Sequence, residues 1–203
     1  MEALYPEEPE STTILEEDFN SYTDGSIVGQ GSWINRVNGD NFLVQGTLTQ
    51  EGAKALHNTA SADSVVTKTG TSRTDGKQAV YVRTENRGGW GTYDNGNAQV
   101  RISKGNWDSE PMVAVSFKKD SNVAYYDPVS DTYANFAAYN DNEWTLLEIE
   151  WRASDKTARY RINSGTWTDW KPFRGAASYT DFDTVGFDFI LGGTGGVYFD
   201  RLQ

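Results

Sequence analysis

Between Glu143 and Trp170 apolar and polar side chains alternate with a period of two. Thr145, Leu147, Ile149 and Trp151 fall on one side of the backbone and Leu146, Glu148, Glu150 and Arg152 on the other, the pattern of a strand buried on one face. Ser154, Asp155 and Lys156 then make a turn. Ala158, Tyr160 and Ile162 follow, opposed by Arg159 and Arg161, and Asn163-Ser164-Gly165 supplies the next reversal. The spacing predicts two neighbouring antiparallel strands.

The same reading extends along the chain. Thr13 to Phe19 is expected to be a first strand, ending at the turn Asn20 to Gly25. Trp33 to Val37 and Phe42 to Gln45 flank Asn38-Gly39-Asp40, and Thr47 to Gln50 faces Lys54 to Asn58 across Glu51-Gly52. Ser64 to Thr69, Lys77 to Thr84 and Ala98 to Ser103 come next, separated by the glycine-rich loops Gly70 to Gly76 and Arg87 to Gly96. Met112 to Lys118 sets Val113, Val115 and Phe117 inward, and Val123 to Tyr126 and Thr132 to Ala138 flank a turn at Asp127-Pro128-Val129-Ser130. Thr184 to Leu191 puts Val185, Phe187, Phe189 and Leu191 on one face, and Gly196 to Leu202 closes the chain. Roughly a dozen strands exceed the about seven to nine of an immunoglobulin-type sandwich. They predict an all-β fold, an antiparallel jelly-roll β-sandwich.

Length and composition agree. A chain of 203 residues suits one sandwich domain, and 13% aromatic residues with 20 glycines favour strands and tight turns over a helical bundle. We expect an acidic N-terminal arm at residues 1–11 and a lectin-like domain at 12–203. The formal net charge of −11, with 18 lysines and arginines scattered along the chain, repels phosphate backbones. Nucleic acid is therefore not an expected partner, and neutral polysaccharides or surface glycans are preferred to acidic polymers. Cysteine is absent, so neither disulfides nor thiolate metal sites arise. No apolar run approaches the about 20 residues of a membrane-spanning helix, so no membrane insertion is expected. The start MEALYPEEPESTT lacks the positive and apolar regions of a signal peptide.

Three stretches, EEDFNSYTDGSIVGQGSW, WTLLEIEWRASDKTARYRINSGTWTDW and FDTVGFDFILGGTGGVYFDRLQ, together resemble the concanavalin A-like lectin and glucanase superfamily, close to laminin-G-like bacterial modules. The resemblance spans Glu17 to Leu202 and implies the jelly-roll sandwich. It leaves activity open, because a fold does not fix function. Glucanases of this superfamily place acid and nucleophile on one strand as Glu-x-Asp-x-x-Glu. The corresponding stretch here is Glu148-Ile149-Glu150-Trp151-Arg152-Ala153, with Glu for Asp and Ala153 in place of the second catalytic carboxylate. A retaining glycosidase needs two carboxyl groups about 5 Å apart, so Glu148 and Glu150 read as the solvent face of a strand. The lyases of this sandwich use a His and Tyr pair. His57, the one histidine, reads as a surface residue of a hairpin. These absences predict a chain that is not an enzyme, with hydrolase or lyase chemistry as the trailing alternative.

Two kinds of site remain. Jelly-roll glycan-binding modules often hold a structural Ca2+ between their first and last strands. Glu17 is in phase with the inward-pointing Leu15 and Phe19, where an ionised carboxylate needs a cation or an arginine, and Asp18, Asp24 and Asp200 are placed to add oxygens. A bulge turning Glu17 outward, or a Glu17–Arg201 pair, serves equally. Glycan binding needs exposed flat rings beside hydrogen-bonding groups. The loop carrying Trp90, Tyr93, Asp94 and Asn95 has that composition and is the first candidate, followed by Trp107, Tyr125, Tyr126 and Tyr133. Trp151 reads as core, with Trp167 or Trp170 capping a sandwich edge. The functional expectation is a lectin-like module binding glycans or other surface components through loop aromatics, outside a cell, at its surface or on a virion. The alternative is a decoration subunit of a phage virion or filament that docks on capsid or filament neighbours through residues 1–11.

Overall fold

Runs rich in valine, isoleucine and aromatic residues pair into strands because each buries alternate side chains while the backbone satisfies itself across the ladder. The computed structural model describes residues 12–59, 62–90, 98–105, 113–174, 179–190 and 194–203. The strands among them are β1 (Gly25–Ser26), β2 (Ile34–Val37), β3 (Leu43–Gln45), β4 (Ala55–Asn58), β5 (Ser64–Arg73), β6 (Asp75–Glu85), β7 (Ala98–Ser103), β8 (Val113–Phe117), β9 (Asn122–Asp127), β10 (Thr132–Ala138), β11 (Trp144–Arg152), β12 (Thr157–Ile162), β13 (Lys171–Pro172), β14 (Phe182–Phe189) and β15 (Gly196–Asp200). They form an eight-stranded sheet, β1-β3-β4-β15-β6-β11-β12-β13, and a seven-stranded sheet, β10-β9-β8-β7-β14-β5-β2. The architecture is the expected antiparallel jelly-roll sandwich.

The core lies between the sheets and is dominated by rings. Phe199 of β15 stacks on Phe187 of β14 with centroids 4.2 Å apart, so one pair joins the two sheets. Trp33 stacks on Phe187 at 5.5 Å and Phe19 on Trp33 at 6.1 Å, extending the stack toward the N-terminal side. Such pairs add roughly 0.5–1.5 kcal/mol each beyond the area they bury. The expected phase holds in the long strands: Leu147, Ile149 and Trp151 of β11, and Val185, Phe187 and Phe189 of β14, are all at most 1% exposed.

Three local expectations fail for identifiable reasons. Residues 13–19 form no regular strand. They cross the edge of the sandwich as a strap, with the Thr71 amide donating to the Ile14 carbonyl (2.8 Å), the Lys77 amide to the Thr12 carbonyl (3.1 Å), and Glu17 and Leu202 exchanging amide bonds (3.0 and 2.8 Å). Gln78, buried on β6, completes the strap: its Oε1 accepts from the Leu15 amide and its Nε2 donates to the Leu15 carbonyl. This strap also explains why the expected loop Gly70 to Gly76 is strand almost throughout. A Cβ on Gly70 would sit 2.2 Å from the Ile14 carbonyl oxygen and one on Gly76 2.4 Å from that of Thr12, so glycine here serves close backbone approach. Thr47 to Gln50 is no strand either, because the amides of Thr47 and Leu48 are taken by the Gln45 side chain and that of Gln50 by Asp200.

Candidate functional site

On the seven-stranded sheet, the residues between the core positions point away from the core. In β7, Ala98, Val100 and Ile102 face inward, leaving Gln99 and Arg101 outside; in β14, Phe187 and Phe189 face inward, leaving Gly186 and Asp188 outside. Register sets them in rows. Asp188 pairs with Gln99, Gln99 with Ser116 of β8, and Ser116 with Ala124 of β9. One row along, Gly186 pairs with Arg101, Arg101 with Ala114, and Tyr126 of β9 with Tyr133 of β10.

These outward residues form a polar floor. Gln99, Ser116 and Asp188 are 1%, 0% and 3% exposed despite facing away from the core, and burial of that kind requires partners. Arg101 donates from Nη2 to Asp188 Oδ2 and, 2.7 Å away, from Nε to Gln99 Oε1. The Tyr133 hydroxyl lies 3.4 Å from the same Gln99 oxygen. Asp188 Oδ1 is buried and has no hydrogen-bond partner among the described residues. Burial raises the Asp188 carboxyl to about 6, with Arg101 acting against the rise and the Asp63 charge adding to it. Burial also raises the Tyr133 phenol and lowers Arg101. Over this floor stands a half-exposed rim, in which Arg174 lies 4.5 Å from the Tyr126 ring centroid and Tyr126 meets Tyr133 edge to face at 5.6 Å. The cluster offers carboxylate, amide, guanidinium and phenol groups beside two aromatic rings.

The aromatic candidates divide. Tyr126 and Tyr133 belong to this cluster. Trp90 does not: it follows the short 3-10 turn Arg87–Gly89 in extended conformation and is 1% exposed, its ring edge to face with Phe189 at 5.4 Å. An apolar ring at the open end of a sandwich gains more by plugging it than by facing water. Tyr125 is likewise corrected, because the inward phase of β9 sends it into the core, where it is 8% exposed and stacks on Tyr160 at 5.1 Å. Tyr93, Asp94, Asn95, Trp107 and the arm at residues 1–11 lie outside the described residues.

The four carboxylates expected around Ca2+ each have other partners. Glu17 does turn inward, and it meets a lysine: Oε2 accepts from Lys68 Nζ at 2.8 Å and from the Tyr22 hydroxyl, and Oε1 from the Phe19 amide at 3.0 Å. Burial pushes its pKa up, but the hydrogen bonds from Lys68 and Tyr22 prevail and hold it below the usual range. Asp18 binds Asn20, Asp24 pairs with Lys54 at 3.0 Å, and Asp200 accepts the amides of Gln50, Glu51 and Arg201 at 2.7, 3.1 and 2.8 Å. Arg201 pairs with Glu51. Among the described residues no three acidic or histidine side chains are grouped to hold a metal ion.

The outer face of the eight-stranded sheet is saturated with pairs. Arg161 holds Glu148 through Nε (2.5 Å) and Nη2 (2.8 Å), Lys77 reaches the same carboxylate at 2.5 Å, and Arg159 holds Glu150 at 2.9 and 2.7 Å. Glu148 is 4% exposed beneath these partners, not solvated as the alternation implied. Trp167 and Trp170 interleave with the guanidinium groups: Arg161 lies 4.4 Å and Arg159 4.8 Å from the Trp167 centroid, and Arg159 4.8 Å and Arg152 4.1 Å from that of Trp170. Two guanidinium groups therefore pack against each of these indoles. His57 is not a simple surface residue. It stacks on Tyr198 at 3.9 Å, its Nε2 is buried, and burial lowers its pKa to about 4, which keeps it neutral.

The residues missed by sequence reading are Gln99, Arg101, Asp188 and Arg174. A signal existed in two of them: Arg101 sits between Val100 and Ile102, and Asp188 between Phe187 and Phe189. A charge enclosed by core residues on both sides marks the second face of a central strand.

No protein-family model matches the chain, and no curated protein matches it. Solved structures do match its fold. A sialidase superposes with TM-score 0.66 at 13% identity, over 95% of this chain and 18% of that one, so the chain spans under a fifth of that protein's length. A Bacteroides ovatus mixed linkage glucan GH16 protein in complex with a G4G4G3G product gives 0.59 at 12% identity, over 94% and 99%. Lectin II from Ulex europaeus gives 0.53 at 11%, over 94% and 97%. The expectation of a chain that is not an enzyme is corrected here, since a sialidase and a glycoside hydrolase stand among the like-folded proteins beside the lectin. The absence of a one-strand carboxylate pattern excludes one arrangement of catalytic groups and no more. What the likeness establishes is the architecture: the chain has the concanavalin A-like jelly-roll fold.

Proposed function

We propose that this protein binds carbohydrate across the outer face of its seven-stranded sheet. The observation that carries the reading is the cluster itself: tyrosine rings at a half-exposed rim, over a floor holding a carboxylate, an amide and a guanidinium. Sugar rings present apolar C–H faces to aromatic side chains and hydroxyls that both donate and accept, and the cluster supplies a counterpart for each. Lectins and glycan-acting enzymes among the like-folded proteins support a glycan as the ligand class.

The test is binding of the purified protein to a panel of soluble polysaccharides by calorimetry, repeated with Tyr126→Ala and Arg174→Ala. Both residues stand at the rim, so the fold should persist by circular dichroism while affinity drops about tenfold or more, the weight of one aromatic or guanidinium contact. Binding that survives both substitutions unchanged would move the site elsewhere.

A further inference from the structure

Arg101 is held unusually for a residue at a binding face. Its Nε is fixed by Gln99 and its Nη2 by Asp188, with the guanidinium side chain 15% exposed and the carboxylate 4%. One guanidinium nitrogen of Arg101 donates to one carboxylate oxygen of Asp188, a charge-assisted contact of the kind by which arginine also recognises an acidic ligand. In this site the acid is supplied from within. Building on the carbohydrate-binding reading, we propose that Arg101 is the recognition point for an anionic sugar, a uronate or a sulfated residue, and that Asp188 is an internal competitor that yields this point when it takes up a proton.

The groups facing Asp188 make the exchange feasible. Arg101 approaches from β7, the Asp63 charge acts from the segment ahead of β5, and Tyr133 faces it from β10, while Arg174 acts on Arg101 and Tyr133. Asp188 is already costly as an anion: it is buried, one of its oxygens has no partner, and burial holds its carboxyl at about 6. Sugar carboxylates and sulfates titrate lower, in the range of ordinary or stronger acids. At about pH 5 a ligand is therefore still anionic while Asp188 is mostly neutral. A neutral carboxyl holds a guanidinium far more weakly than a carboxylate does. Tyr133 and Gln99 remain to orient the incoming group.

The magnitude follows from the competent fraction. With a carboxyl at about 6, the protonated share is about 0.9 at pH 5 and about 0.03 at pH 7.5, so affinity for an anionic glycan should fall about thirtyfold between them. The probes are polygalacturonate, its fully methyl-esterified form, and a sulfated galactan, titrated at both pH values against the wild-type protein and Asp188→Asn. Asparagine keeps the shape and removes the charge. The expected result is tight binding of polygalacturonate or the sulfated galactan at about pH 5, loss at pH 7.5, no binding of the methyl ester, and binding by Asp188→Asn at both pH values. Arg101→Gln in the Asp188→Asn background, which leaves no buried charge unpaired, should abolish it. Equal affinity at both pH values, or Asp188→Asn weaker than wild type at about pH 5, overturns the proposal. Binding of neutral glycans alone would leave the carbohydrate reading standing and remove this one. Binding of no glycan at either pH would remove both.

Discussion

Replacing Trp90 with alanine separates a packing role from a ligand role. The ring is 1% exposed and packs edge to face on Phe189, so its removal leaves a cavity at the end of the core. Truncation of a buried Trp or Phe to alanine costs about 3–5 kcal/mol, from lost transfer energy and incomplete collapse around the void. For a domain of this size each kcal/mol lowers the thermal midpoint by about 2–4 °C, which gives a fall of roughly 6–20 °C. Trp90→Phe retains a ring against Phe189 and should recover around half of the loss. Urea unfolding followed by far-UV circular dichroism measures both, with the midpoint moving and the slope constant if only stability changes. The same samples, kept well below their midpoints, should bind glycan like the wild type. An Ala variant that unfolds at the wild-type urea concentration but no longer binds would refute the packing argument and return Trp90 to the ligand site.

Two further expectations concern the buried acids. Asp200 is 0% exposed and burial raises it to about 6, the amides of Gln50 and Arg201 acting against the rise. The folded state thus holds a proton that the unfolded state releases between roughly pH 4 and 6, so this group's contribution to stability is greatest below that window and falls as pH rises through it, by up to about 3 kcal/mol. His57, lowered to about 4 by burial, acts in the opposite direction over the same range, so the reading is the difference between two proteins: lowering pH from about 7 to about 5 should raise the wild-type urea midpoint relative to that of Asp200→Asn, and a relative fall contradicts the assignment. For the N-terminal strap, Lys68→Met should cost about 3–5 kcal/mol by stranding Glu17, whereas chelator should leave the wild-type melting curve in place. A midpoint that drops on chelation and recovers with Ca2+ would show that an ion, and not Lys68, compensates these carboxylates.

The periodicity of the chain was enough to determine the all-β class, most strands and the inward phase of β8, β11 and β14, because a period of two with turn residues between runs is a local property that pairing merely realises. Trp151, Phe187 and Phe189 were legible as core for that reason. The strap at residues 13–19 was not, since its hydrogen bonds come from Gly70 to Gln78, far along the sequence, and from the C-terminal Leu202. Nor was the fate of individual rings: Trp90 and Tyr126 both lie near loops, and only the position of Phe189 beneath one and of Arg174 above the other assigns the first to the core and the second to a rim. The alternation of Glu148 and Glu150 identified an outer face but not its saturation by Arg159, Arg161 and Lys77, which depends on strand register. The Arg101–Asp188 pair shows the division best. Each residue's outward direction is fixed by its neighbours in sequence, whereas the antiparallel register of β7 with β14 that brings Arg101 within reach of Asp188 exists only in the assembled sheet.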